Sequence, residues 1–228
     1  MCIVRKAGVE RQFKEIMNLQ QTDLNPIIYG HAPQPLLVVL SGPSGVGKDS
    51  ALMRMRELGF PFHFVVTATD RAQRPGEING VDYHFVATAE FEQMIADQEL
   101  LEWARVYNDY KGIPKWDVRN ALSSGKDVIL RIDVQGVATV KKLAPEAVTI
   151  FMAPSSIDDL RQRLQWRRTD APQQIEERLA KAESEIEQIG LFDYVVINHA
   201  DRLDTAVGQI RSIIFAEKQR VRPRRVQL

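Results

Sequence analysis

The sequence predicts an α/β fold, a three-layer sandwich in which a parallel core sheet is covered on both faces by helices. Three observations carry that expectation. Short apolar runs at 36–40, 127–132, 148–152 and 194–197 read as strands buried on both faces. Segments of helical spacing alternate with those runs. Between the first run and the helix-like stretch 51–58 stands Gly42-Pro43-Ser44-Gly45-Val46-Gly47-Lys48, a G-x-x-x-x-G-K phosphate-loop pattern.

That loop needs glycines because consecutive backbone N–H groups must point into one concavity without Cβ atoms in the way. Phosphate is then held by those N–H groups, by the start of the next helix and by the Lys48 ammonium. The residue after Lys48, normally Ser or Thr for a magnesium ion, is Asp49, with Ser50 next. A carboxylate is the stronger Mg²⁺ ligand but adds negative charge beside nucleotide phosphates. An acid in the first turn of a helix is also stabilised by the helix dipole alone. The metal and capping readings of Asp49 both stand.

Taken in order, residues 1–34 form an N-terminal extension, with a short amphipathic helix expected over 10–19 and irregular linker around Asn25-Pro26 and 31–35. The first crossover helix is expected over 49–58 and the next strand over 62–66. The stretch 67–85 has few core residues but gathers Arg71, Arg74, Glu77, Asp82 and Tyr83; Gly76 and Asn79-Gly80 suggest short strands joined by a tight bend. A helix over 90–95, a strand over 100–106 and a helix over 115–122 follow. Asp133 stands just past the carboxyl end of the 127–132 strand, where parallel-sheet proteins place ligands. Further helices are expected over 134–143, 158–166, 174–188 and 203–215, and the basic end 218–228 reads as a solvated tail. Arg161, Arg163, Arg167, Arg168 and Arg178 cluster in the second excursion. In a chain with a phosphate loop they read as a closing lid rather than plain surface.

Composition narrows the classes. The chain has 228 residues, 44% hydrophobic and 26% charged, with formal net charge +0, so a broad nucleic-acid-binding surface is not expected. Cys2 is the only cysteine, which leaves no disulfide framework or cysteine metal site. No apolar run is long enough to span a membrane and no signal-peptide core follows Met1, so cytoplasm is the default compartment.

The motifs resemble those of the guanylate kinases. GPSGVGK, TATDRAQRPGE, GVDYHFV, EFEQMI, LLEWARV, IDVQG, RQRLQWRRTD and YVVIN occur in the family's order, over residues 36–215. The resemblance implies a domain at 35–217 with an acceptor (GMP-binding) subdomain at 64–115 and a helical lid at 155–190. It also implies ATP and GMP as small-molecule partners, Mg²⁺ as cofactor, no stable nucleic acid or membrane partner, and leaves a homo-oligomer open. By motif, Arg71, Arg74 and Tyr83 would hold the GMP phosphate, with Glu77 beside them. Glu102 would accept from guanine N1 and N2, with Thr67 and Asp133 completing the base pocket. Lys48 would contact the ATP phosphates; Arg163, Arg167 and Arg178 would bridge the transferring phosphoryl group; Asn198 would lie near adenine. No general base is needed when the acceptor is an already ionised phosphate.

Five further positions depart from the family pattern. Lys111 replaces a tyrosine that donates to the acceptor phosphate, and Ile113 a small hydroxyl residue that helps hold guanine. Asp70 replaces a threonine, Arg131 an acid, and Arg168 a glycine. The Gly-Lys-Asp-Ser loop is also reminiscent of ribose bisphosphate phosphokinases, which makes a phosphorylated sugar the alternative acceptor. Non-catalytic relatives that bind proteins supply a third reading, against which the retained Lys48, Gly47 and lid arginines argue.

Overall fold

The computed structural model describes residues 34–106, 109–166 and 172–228. The helix expected over 10–19, the linker after it, Arg167 and Arg168 lie outside the described residues.

Five strands form one parallel sheet: β1 (Leu37–Ser41), β2 (Phe62–Phe64), β7 (Asp127–Arg131), β8 (Val148–Pro154) and β9 (Tyr194–Asn198), in the order β2-β7-β1-β8-β9. The strand with the phosphate loop at its carboxyl end is therefore central, and its side chains divide by the two-residue period of a strand. Val38 and Leu40 pack with Ala51 and Met55 of α1 (Lys48–Glu57) and with Val207, Ile210 and Ile214 of α7 (Leu203–Lys218). Leu37 and Val39 pack on the other face with Val118 of α3 (Lys115–Ser123) and with Val137 and Val140 of α4 (Val134–Leu143). Two cores on opposite faces make the predicted three layers. Strand β2 is shorter than expected. It is an edge strand, and the N–H of Val66 goes to the Asp117 carboxylate at 3.2 Å instead of continuing a ladder.

A second sheet, ordered β4-β3-β6-β5, is built from β3 (Ala68–Thr69), β4 (His84–Phe85), β5 (Leu100–Val106) and β6 (Asp109–Pro114). Phe91 of α2 (Thr88–Ala96) packs beneath it with Ala68 and Leu100. The bend expected in 67–85 is not a hairpin. Strands β3 and β4 pair in parallel, which requires a long return loop. Side chains hold that loop: Glu77 accepts the Arg74 N–H at 2.8 Å, Asp82 the Ile78 N–H at 2.7 Å, and Asn79 the Phe85 N–H at 2.9 Å.

Helices α5 (Ile157–Trp166) and α6 (Pro172–Glu187) pack on each other through Leu160, Leu164, Ile175, Leu179 and Ala182. The Ser156 hydroxyl caps the start of α5 by accepting the Asp159 N–H at 3.0 Å.

The basic end is not a solvated tail. Arg224 donates to Glu217 at 2.8 and 3.2 Å, and Glu217, only 2% exposed, also accepts the Tyr194 hydroxyl at 2.5 Å. Val226 and Leu228 pack against the core, and Arg119 donates to the Leu228 carbonyl at 2.9 Å. A buried glutamate needs a cation, and the chain end supplies it.

Candidate active site

The loop 42–48 leaves β1 under tight constraint. A Cβ on Gly42 would lie 2.1 Å from the Met152 carbonyl oxygen, so only glycine lets the chain pass against β8. Gly47 enters α1 at φ 101°, in the left-handed region. The Lys48 ammonium folds back across the loop, donating to the Gly42 carbonyl and, at 3.2 Å, to that of Pro43. Burial lowers its proton affinity, against the opposing pull of the Asp133 carboxylate.

Helices α5 and α6 and strand β9 hold the loop from the other side. The Val46 carbonyl accepts the Asn198 amide at 2.8 Å and Arg163 at 3.1 Å. Arg163 also donates to both Asp159 oxygens at 2.9 Å and to the Asn198 carbonyl at 2.6 Å. Arg178 reaches the Ser44 hydroxyl at 3.5 Å. Asn198 is 3% exposed and turned onto the loop backbone.

Beside the loop, Lys48, Thr67, Glu102, Lys111, Arg131 and Asp133 line one pocket of about 270 Å³, together with Ile113 and Gly136. Glu102 projects from β5, whose partner opposite it in β6 is Ile113. Burial, with a smaller contribution from Asp133, pushes the Glu102 carboxyl up to about 7. Beside this pocket the Arg71 guanidinium donates to both Glu77 oxygens at 2.7 and 3.0 Å. The Arg71 guanidinium carbon and the Lys111 ammonium lie 5.4 and 5.5 Å from the Tyr83 ring centre. The Arg71 guanidinium, with the Arg74 N–H, holds the Glu77 carboxyl below its ordinary range. The structure thus brings Lys48, Thr67, Glu102, Lys111 and Asp133 together, and gathers Arg71, Glu77 and Tyr83 next to them. Arg74 and Ser50 are exposed, and Arg167 is outside the described residues.

The departures from the family pattern have physical partners. Asp49 and Arg131, far apart in sequence, are one feature: an Arg131 guanidinium N–H donates to the Asp49 carboxylate at 2.6 Å. Asp70 ties the second sheet to α2, accepting the Tyr110 N–H at 2.6 Å and the Thr88 hydroxyl at 3.0 Å. Ile113 is 4% exposed and belongs to the core as much as to the pocket. Sequence reasoning passed over Glu185, a buried acid on α6 that interacts electrostatically with Lys48. Its place between Ala182 and Ile186, on the apolar side of the helix, was the available signal.

Among the described residues no group of three His, Cys, Asp or Glu side chains could hold a metal ion, and Asp49 already receives a guanidinium. Among the described residues, no helix is long and apolar enough to cross a membrane.

Comparison with known proteins points the same way as the geometry. The protein-family model described as guanylate kinase matches residues 34–217. The chain is 47% identical over 197 residues to guanylate kinase 2, chloroplastic/mitochondrial, of Oryza sativa subsp. japonica, covering 86% of this chain and 69% of that protein. It is 46% identical over 188 residues to the guanylate kinase of Gloeobacter violaceus, covering 82% and 90% of the two chains. Among solved structures it is similar to a crystal structure of guanylate kinase from Anaplasma phagocytophilum, with TM-score 0.63 and 29% identity over 83% of this chain and 89% of that one.

Proposed function

The chain belongs to the guanylate kinase family, and from that premise we propose that it transfers the terminal phosphoryl group of Mg-ATP in line to GMP or dGMP. Mg²⁺ enters as part of the nucleotide substrate, whose phosphate oxygens supply most of its ligands. The observation that carries the choice of acceptor is Glu102. A carboxylate at the wall of a pocket shared with Lys48 and Asp133 can accept from two adjacent guanine donors, an arrangement adenine does not offer.

The roles follow from position and charge. The backbone N–H groups of 44–47 and the start of α1 hold the donor phosphates. Lys48, which in the free protein donates to the Gly42 and Pro43 carbonyls, exchanges those acceptors for phosphate oxygens. Arg71, Arg74, Tyr83 and Lys111 hold the acceptor phosphate, with Glu77 fixing the Arg71 guanidinium. Arg163, Arg167 and Arg178 supply lid charge to the transferring group, and Thr67 and Asp133 complete the base pocket. Asn198 braces the donor side through Val46. Asp49 holds Arg131 at the mouth of the acceptor pocket, a role its engagement favours over that of metal ligand. Proton abstraction has no part in the step, since the acceptor phosphate is already ionised.

A coupled assay with Mg-ATP and GMP, dGMP, AMP, UMP, CMP and ribose 1,5-bisphosphate tests the reading. GMP or dGMP should give the highest kcat/KM. A sugar phosphate ahead of GMP would transfer the assignment to that acceptor class, for which the Gly-Lys-Asp-Ser loop and Ile113 speak. No turnover with any acceptor would favour a binding module.

A further inference from the structure

Gly136 lies in the first turn of α4, which begins just after Asp133, and is buried. Its backbone is ordinary helix and no left-handed geometry demands glycine there. What demands it is space. A Cβ at 136 would stand 2.8 Å from Cγ, 2.9 Å from Cδ and 2.9 Å from Oε1 of Glu102. Real Cβ atoms do not approach heavy atoms so closely, so an alanine must displace whatever lies there. All three nearest atoms belong to the end of one flexible side chain, with no backbone among them. The fold can therefore accept the methyl group, and the Glu102 carboxylate is what moves.

We infer that Gly136 is a specificity-determining residue: the missing side chain forms the seat in which the Glu102 carboxylate lies, and so sets where a purine acceptor is read. Gly136 acts through Glu102 and is a positioning residue. The inference rests on the reading of Glu102 as the guanine-recognising group. Among the described residues no hydrogen bond or ion pair engages that carboxylate, so packing against 136 is a main constraint on its position. The pocket is lined by Glu102 and Gly136 together, which places the seat inside the acceptor site rather than behind it.

Gly136→Ala separates this role from a structural one, because the two readouts should move in different directions. Alanine is the better helix former at an ordinary helical position, so the melting temperature of the full chain should hold or rise. GMP kcat/KM should fall at least tenfold, chiefly through KM, while AMP kcat/KM and the ATP KM stay within twofold. In a Glu102→Ala background the same glycine substitution should have no further effect on GMP, since the displaced group is gone. Equal loss for GMP and AMP, or a lowered melting temperature, would make 136 a structural position and overturn the inference. Unchanged GMP use would overturn it too. Glu102→Gln on its own tests the underlying reading. If it leaves the GMP-to-AMP ratio intact, the guanine assignment fails first. If it collapses the ratio while Gly136→Ala does not, only the seat is refuted.

Discussion

Guanine recognition by Glu102 should be switched by pH close to neutrality. The carboxyl is pushed up to about 7 by burial, with the Asp133 charge adding to it. Only the ionised form can accept from both guanine donors; the protonated form presents a donor in their place. With a value of about 7, roughly one-tenth of the free protein is ionised at pH 6 and roughly nine-tenths at pH 8. The ratio of kcat/KM for GMP to that for AMP should therefore rise about tenfold between pH 6 and pH 8. A carboxyl at its ordinary 4.5 would be almost fully ionised across that range and would give a flat ratio. Dividing by AMP removes the titration of the acceptor phosphate, which both nucleotides share. Steady-state kinetics at fixed Mg-ATP reads the ratio, and titration calorimetry of GMP in buffers of different ionisation enthalpy at pH 6.5 should show proton release. The same group acts on folding with the opposite benefit. Its folded value lies above its unfolded one, so the stability it confers is full below about 4.5 and is lost as pH rises through about 7. The difference corresponds to at most about 3 kcal/mol. Glu102→Gln should then melt with the parent at pH 4 and above it at pH 8, and at pH 8, where the parent carboxyl is ionised, it should have lost GMP selectivity. A GMP-to-AMP ratio that is flat from pH 6 to pH 8, or that rises toward acid, would refute the reasoning.

Other expectations follow from single contacts. Lys48→Ala should leave the melting temperature nearly unchanged and lower kcat by about a thousandfold, as measured by kinetics and thermal melting on one preparation. Asp49→Asn and Arg131→Gln should be non-additive in GMP kcat/KM, the double variant falling no lower than the worse single one, because they share one ion pair. The Mg²⁺ concentration for half-maximal rate should be the same in Asp49→Asn as in the parent; a marked rise would make Asp49 a metal ligand. Ile113→Thr should improve GMP use but cost about 2 kcal/mol in denaturant unfolding, since the side chain is buried in the core. Arg224→Ala should cost about 3 kcal/mol by the same measurement, because Glu217 would lose a principal buried partner.

Much of this protein was legible in its residues. Apolar runs bounded by turn residues located the buried strands, because a strand covered on both faces has no polar side to confuse the pattern. The glycines and Lys48 identified the phosphate loop, because few other chemistries require that spacing. The motif order pointed to the family. Tertiary structure decided what the departures mean. Asp49 and Arg131 look like two unrelated substitutions until β7 and α1 bring them to 2.6 Å. The basic end looks solvated until Glu217, buried in α7, is seen to need its charge. Asn198 is turned inward by the Val46 carbonyl, which no local pattern announces. Gly136 reads as an ordinary helical residue, and only the approach of Glu102 from another element shows why a side chain is missing there. Periodicity and loop chemistry are local and survive in a linear string. Ion pairs, buried charges and steric seats belong to pairs of residues that only the folded chain makes neighbours.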